Sequence, residues 1–325
     1  YLLFNSFTYL SFILILIPVY YLLPSKFKNL FLLVCSYLFY AYWDWRFCSL
    51  LALTTLTVYY CGSFIFASKD QKKKKIYLYI CLIINLGILG LFKYYNFFID
   101  SFDSAFSLFG GNLDWLHIKL ILPLGISFYT FQALSYVIDI YRGDAEPSDS
   151  IINVALFVSF FPQLLSGPIE RAKNILPQLS IARKFDKALL KEGFVLITLG
   201  MFKKVIIGDT AGKVVNQIFA EPSYYASIEL IMGIVLFTIQ IYADFSGYTN
   251  IARGTAKILG INIMENFEQP YFSQSMTEFW RRWHISLSTY IRDYVYTPLA
   301  ISTRSWGHFS VAFSLFITFV LVGLW

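Results

Sequence analysis

The densest chemistry in this 325-residue chain lies in residues 279–299, FWRRWHISLSTYIRDYVYTPL. His284 is the side-chain type that holds or moves a proton near neutral pH, and Arg281, Arg282 and Arg292 flank it with permanent positive charge. A cationic cluster beside a membrane-embedded histidine suits an anionic or thioester-linked ligand. Projected at the α-helical period, Trp280, His284, Leu287, Ile291 and Tyr294 share an apolar stripe, with Arg282, Ser286 and Asp293 on the opposite side. The spacing therefore predicts one continuous helix with the imidazole enclosed by aromatic and aliphatic neighbours. A histidine so placed is more often a satisfied core residue than a catalyst, and both readings stand at this point.

Three further segments bring polar groups to membrane depth. In 121–141, Gln132, Ser135, Tyr136 and Asp139 fall on one helical face, which must pack against protein or line a wet cavity because unpaired polar groups in hydrocarbon are costly. Polar glue between helices and a substrate path both satisfy that demand. In FFPQLLSGPIERAKNILPQL, Pro162, Gly167, Pro168 and Pro177 forbid a continuous helix, so Gln163, Ser166, Glu170 and Arg171 edge a site or form a loop at the interface. The run IQIYADFSGYTNIARG carries Gln240, Tyr242 and Asp244 to the end of an apolar helix, where Asp244 caps the next helix, faces a cavity, or does both. No P-loop, G-x-G-x-x-G, H-E-x-x-H or G-x-S-x-G pattern is present. The three histidines, His117, His284 and His308, are too scattered to hold a metal, and none is expected.

The elements that position these residues are set by composition. Hydrophobic residues make up 57% of the chain, aromatics 20% and charged residues 14%, and the mean hydropathy is +0.59. These values exclude a soluble enzyme, a disordered chain and a secreted disulfide scaffold. Apolar runs at 7–23, 30–43, 47–67, 76–98, 120–140, 151–165, 194–207, 228–243 and 309 onward predict an all-α polytopic membrane protein. The runs 30–43, 151–165 and 194–207 are short for full spans and read as re-entrant, kinked or buried segments. The net charge of +6 sits largely in short loops, where it reports topology and not a nucleic-acid footprint. Lys69 with Lys72 to Lys75, and the loop holding Lys26 and Lys28, are expected on the cytoplasmic side. The acidic segment 100–117, with Asp100, Asp103 and Asp114, is expected outside. The basic stretch 171–191 reads as interfacial helices. Cys35, Cys48, Cys61 and Cys81 read as small buried hydrophobes. The simplest partition is one membrane domain over 1–325. It is expected to be incomplete at its C-terminal side, since the chain stops inside an apolar run.

Taken together, LPLGISFYTFQALSYVIDIYRG, FFPQLLSGPIER, YADFSGYTNIARG and FWRRWHISLSTYIRDYVYTPL resemble the membrane-bound O-acyltransferase superfamily, and within it the bacterial alginate O-acetyltransferase branch. The resemblance covers about residue 120 to the end, with the four motifs in the family's order. It implies a helical bundle with short, re-entrant and interfacial helices around a central funnel or tunnel in a bacterial plasma membrane. It also implies transfer of an acyl group, acetyl first, from a cytoplasmic thioester to a hydroxyl of an extracytoplasmic polysaccharide. Acetyl-CoA or an acyl carrier protein would be the donor substrate, no bound cofactor is expected, and an extracytoplasmic acetyltransferase partner would complete delivery. By the same resemblance His284 is a catalytic candidate, with Trp280, Arg281, Arg282, Trp283, Asp293 and Tyr294 as its support and Asp244, Gln132, Tyr136 and Asp139 as tunnel residues. The family's principal histidine follows a Gly-Leu-Trp sequence, matched here by Gly323, Leu324 and Trp325, so it would be the next residue and this stretch alone is expected to be inactive. Asn250 departs from the family, where an aspartate is common, and is given no acidic role. D-alanyl transfer to teichoic acid is the related alternative, and a secondary transporter the alternative from another class. The transporter predicts two pseudo-symmetric halves, which the sequence does not display.

Overall fold

The computed structural model describes residue 4 and residues 6–107, 120–164 and 167–324. Ser166, Asp114, His117 and Trp325, named above, lie outside the described residues. Among those described, regular structure is helical, and the one β feature is an isolated antiparallel bridge between Phe267 and Trp283.

In chain order the helices are α1 (Phe7–Leu22), α2 (Ser25–Asp44), α3 (Cys48–Ala67), α4 (Gln71–Leu89), α5 (Tyr95–Ser107), α6 (Ile126–Arg142), α7 (Ile151–Ser159), α8 (Phe161–Leu164) and α9 (Ala172–Ser180). They continue as α10 (Lys187–Met201), α11 (Asp209–Ala220), α12 (Ser227–Ile258), α13 (Met276–Arg282), α14 (Ile285–Ile291), α15 (Thr297–Ser302) and α16 (His308–Leu324). The helical stretches Ser25–Ala67, Gln71–Ser107 and Ser227–Ile258 are long and apolar enough to cross a membrane. α2 and α3, with 20 residues each, are about 30 Å long, the thickness of a hydrocarbon core. Their surfaces fit a lipid solvent: Ile228, Ile231, Met232 and Val235 of α12 are exposed.

Local chemistry explains where these helices start and stop. The Ser6 hydroxyl accepts the Tyr9 N–H at 3.1 Å to open α1, the Asp70 carboxylate accepts the Lys72 N–H at 2.9 Å to open α4, and Ser150 opens α7. Gly125 precedes α6 at φ 72°, and a Cβ there would lie 2.2 Å from the Leu164 carbonyl oxygen, so only glycine fits.

Two of the three short runs are longer than expected. The run 30–43 belongs to the 20-residue α2. The run 194–207 belongs to a helix that continues from α10 through a π-helical turn, Phe202–Gly208, into α11. In both, polar residues at the flanks interrupt the hydropathy without interrupting the backbone. The run at 151–165 does break: α7 ends at Ser159, Phe160 turns the chain, and α8 lasts four residues. Lys26 and Lys28 lie in the first turn of α2, and not in a loop. Lys28 is buried and donates to the Arg183 carbonyl at 2.7 Å, so it ties α2 to the basic stretch after α9.

The chain forms two compact units. One holds α1 to α9 and takes in residues 259–261; α2, α3, α4, α6 and α7 form its centre. Its polar ties include Arg183, whose Nε donates to the Tyr20 hydroxyl at 2.7 Å and whose Nη1 donates to the Gln178 carbonyl at 3.0 Å. The other unit holds residues 167–170, 188–258 and the chain from 262 on. In it α12 packs along the π turn and α11. Gly193 and Gly200 on α10 face Gly254 and Gly247 on α12, backbone against backbone.

Candidate functional site

The segment 279–299 does not run as one helix. Ser275 opens α13 by accepting the Glu278 N–H at 3.1 Å, and Glu278 pairs with Arg282 one turn later at 2.7 Å. Trp283 then extends (φ −101°, ψ 126°), because the chain pairs there with the distant segment 266–268. Phe267 bridges Trp283, the Glu268 N–H donates to the Arg282 carbonyl at 3.0 Å, and the Ile285 N–H donates to the Asn266 carbonyl at 3.0 Å. His284 stands between these bonds at φ 44° and ψ 55°, a left-handed conformation rare for a residue with a Cβ, and α14 starts after it. The helical projection is thereby corrected. Trp280, on α13, is exposed and does not share a stripe with His284.

The wall around His284 is aromatic. Phe245 of α12 meets the imidazole edge-on at 4.7 Å between centroids. Phe267 packs at 5.0 Å from both Phe245 and Trp283. Phe279 stacks on Trp283 at 5.5 Å, and Tyr242 and Tyr271 extend the cluster. His284 is 8% exposed. It lies outside the apolar spans, and burial pushes its imidazole down to about 4, so the ring is neutral at physiological pH.

The other motif residues frame this centre at greater remove. Arg281 is exposed; Arg282 is engaged by Glu278, and Arg292 by Asp293 at 2.8 Å. Tyr294 packs on Tyr290 at 4.6 Å. Sequence reasoning missed Asn266, Phe245 and Phe267. Phe245 lies inside the noted segment YADFSGY, but nothing in its spacing points to a histidine far along the chain.

A second polar centre lies in the same unit. Asp244 does not cap a helix: α12 runs through it unbroken, because Phe245 to Ile258 continue the helical pattern. Its carboxylate takes the Lys204 ammonium at 2.9 Å, and Asp209 takes the same ammonium at 2.6 Å. These three, with Gly212, Lys213, Asn216 and Gln240, line a cavity of about 460 Å³. The π turn carries Lys204, as such turns often do at functional positions.

Gln132, Tyr136 and Asp139 belong to the first unit and are buried. Gln132 donates to the Phe157 carbonyl at 2.5 Å and to Gln163 at 3.1 Å, and the Tyr136 hydroxyl accepts the Ser148 N–H at 3.0 Å. These bonds tie α6 to the α7–α8 region. Glu170 and Arg171 are buried where the helix breaks, and the Glu170 carboxylate accepts the Met264 N–H.

The profile of MBOAT, the membrane-bound O-acyltransferase family, matches residues 147–325. The probable alginate O-acetylase AlgI of Pseudomonas putida is 41% identical over 99% of the chain and 65% of its own length. The peptidoglycan O-acetyltransferase of Helicobacter pylori is 31% identical over 97% of the chain and 65% of its own length. The teichoic acid D-alanyltransferase of Bacillus subtilis is 31% identical over 64% of the chain and 54% of its own length. The chain thus spans less than two thirds of the length of these relatives. By its apolar helices and by the match over 147–325, the chain belongs to the membrane-bound O-acyltransferase family.

Proposed function

We propose that the protein moves an acyl group, acetyl in first place, from a cytoplasmic thioester to a hydroxyl of an extracytoplasmic polysaccharide. Acetyl-CoA or an acyl carrier protein is the donor, and a second, extracytoplasmic acetyltransferase completes delivery. The chain crosses the bacterial plasma membrane several times, with donor and acceptor meeting in a funnel or tunnel of one membrane domain. The acetylating relatives favour acetyl over D-alanyl, since they are alike over nearly the whole chain.

The observation that carries this reading is His284, a neutral imidazole in a left-handed backbone inside an aromatic wall. In the reaction the acceptor oxygen bonds to the thioester carbonyl carbon, the carbon–sulfur bond breaks, and the hydroxyl proton ends on the departing sulfur. A neutral imidazole can accept that hydroxyl as a hydrogen bond without first losing a proton. With its basicity lowered by burial, His284 is a weaker base than one matched to neutral pH. Its part is therefore to orient the hydroxyl or the thioester beside the second histidine that the resemblance expects. Trp283, Phe245 and Phe267 keep water from the ring, and the exposed Arg281 is available to phosphates of the donor.

The test is transfer from labelled acetyl-CoA in membranes containing the protein at its natural full length. His284→Ala should cut acetyl turnover roughly 100-fold or more while the protein still inserts. Turnover equal to wild type would overturn the role of His284. A wild-type protein that ignores acetyl-CoA but accepts a D-alanyl carrier would replace acetyl by D-alanyl.

A further inference from the structure

His284 occupies the N-cap of α14 without making a cap bond through its side chain. A helix start leaves its first N–H groups without intrahelical partners, and serine, threonine, aspartate or asparagine normally supplies the acceptor. Here the acceptor comes from elsewhere in the chain. Asn266, in the segment between α12 and α13, has no exposed surface. Its backbone carbonyl accepts the Ile285 N–H at 3.0 Å, and its side-chain Oδ1 accepts the Ser286 N–H at 3.2 Å. These are the first two residues of α14. On the other side of His284, the Phe267–Trp283 bridge and the Glu268-to-Arg282 bond continue the same pairing. The histidine backbone, sterically disfavoured at φ 44° like that of Gln269 at φ 46°, is thus gripped on both sides.

We infer that Asn266 is a positioning residue for His284: it supplies the acceptors that open α14 in the histidine's place and holds the left-handed turn from which the imidazole projects. The inference rests on the role proposed above for His284. Asn266 Nδ2 is buried and meets no hydrogen-bond acceptor among the described residues, so the Oδ1 bond is the side chain's own contribution to the turn. Asn266→Ala removes that acceptor and strands the buried Ser286 N–H. Asn266→Asp keeps an acceptor oxygen at the same place.

The experiment uses the full-length protein in detergent, with two readouts. One is the rate at which diethyl pyrocarbonate modifies His284, resolved by peptide mass spectrometry, with the exposed His308 as internal reference. The other is acetyl transfer with kcat and KM separated. In Asn266→Ala, modification of His284 should quicken about 10-fold, with His308 unchanged. Its kcat should fall about 10- to 100-fold, with KM for the donor within about 2-fold, as expected for one lost buried bond and a displaced group. Asn266→Asp should recover most of both effects. Wild-type modification and kcat in Asn266→Ala would overturn the inference, as would an Asn266→Asp variant as impaired as Asn266→Ala in both readouts. If His284→Ala retains full transfer, the catalytic reading fails, while the modification rates still decide whether Asn266 holds the turn.

Discussion

A close helix contact in the second unit sets a quantitative expectation. A Cβ added to Gly200 would lie 2.6 Å from the Gly247 carbonyl oxygen, 2.7 Å from Ile251 Cγ1 and 2.9 Å from the Ile251 nitrogen. Two of the three are backbone atoms of α12, which no rotamer change can move aside. The first contact is about 0.8 Å short of an ordinary 3.4 Å separation, so α10 and α12 must part by several tenths of an ångström. Overpacking of this kind costs about 1–3 kcal/mol, offset by about 0.5–1 kcal/mol gained when alanine replaces glycine within a helix. Gly200→Ala should therefore destabilise by roughly 1–2 kcal/mol, a fall in Tm of roughly 2–8 °C. Gly87 in α4 is the control: a Cβ there meets nothing within 4 Å, so Gly87→Ala should be neutral or stabilising. Gly247→Ala meets the Gly200 carbonyl oxygen at 2.9 Å. Combined with Gly200→Ala it should cost less than the sum, because the helices have already separated. Thermal unfolding in detergent, followed by near-UV circular dichroism, measures all four variants. A Gly200→Ala protein as stable as Gly87→Ala would refute the reasoning.

Two further outcomes follow from the charged groups. Because the folded imidazole of His284 lies near 4 and the unfolded one near 6.5, the unfolded chain binds the extra proton between those values. Stability should be fully present above pH 6.5 and decline by roughly 3 kcal/mol as pH falls toward 4. Tm from pH 7.5 to 4.5, wild type minus His284→Asn, isolates this loss, and parallel curves would contradict it. Lys204→Met leaves Asp209 and Asp244 facing each other without their shared cation and should cost about 2 kcal/mol, with Asp244→Asn restoring part of it. Calorimetry of the single and double variants checks the coupling, and additive losses would show that the carboxylates do not share Lys204.

What the sequence made legible follows the reach of each signal. Hydropathy found the apolar runs because lipid acts on every residue of a span, and the motif around His284 pointed to a histidine that the structure buries among aromatic rings. Features that depend on distant partners were not legible. The helix break at Trp283 and His284 requires Asn266 and Phe267, and nothing in FWRRWHISLS names them. Lys28 looked like a loop charge because its acceptor, the Arg183 carbonyl, lies 155 residues away. Asp244 looked like a cap because an acidic residue after an apolar run is commonly one, yet here Lys204 receives it on a neighbouring helix. One long-range contact did carry a signal. Gly193 and Gly200 are spaced seven apart, as are Gly247 and Gly254, and seven is two turns of helix on one face. Read as a pair of small-residue stripes, those spacings predict close packing of α10 on α12, and the structure supplies its antiparallel sense. That packing brings Lys204 and Asp244 within reach of each other, so an ion pair between two helices depends on the smallest residues of both.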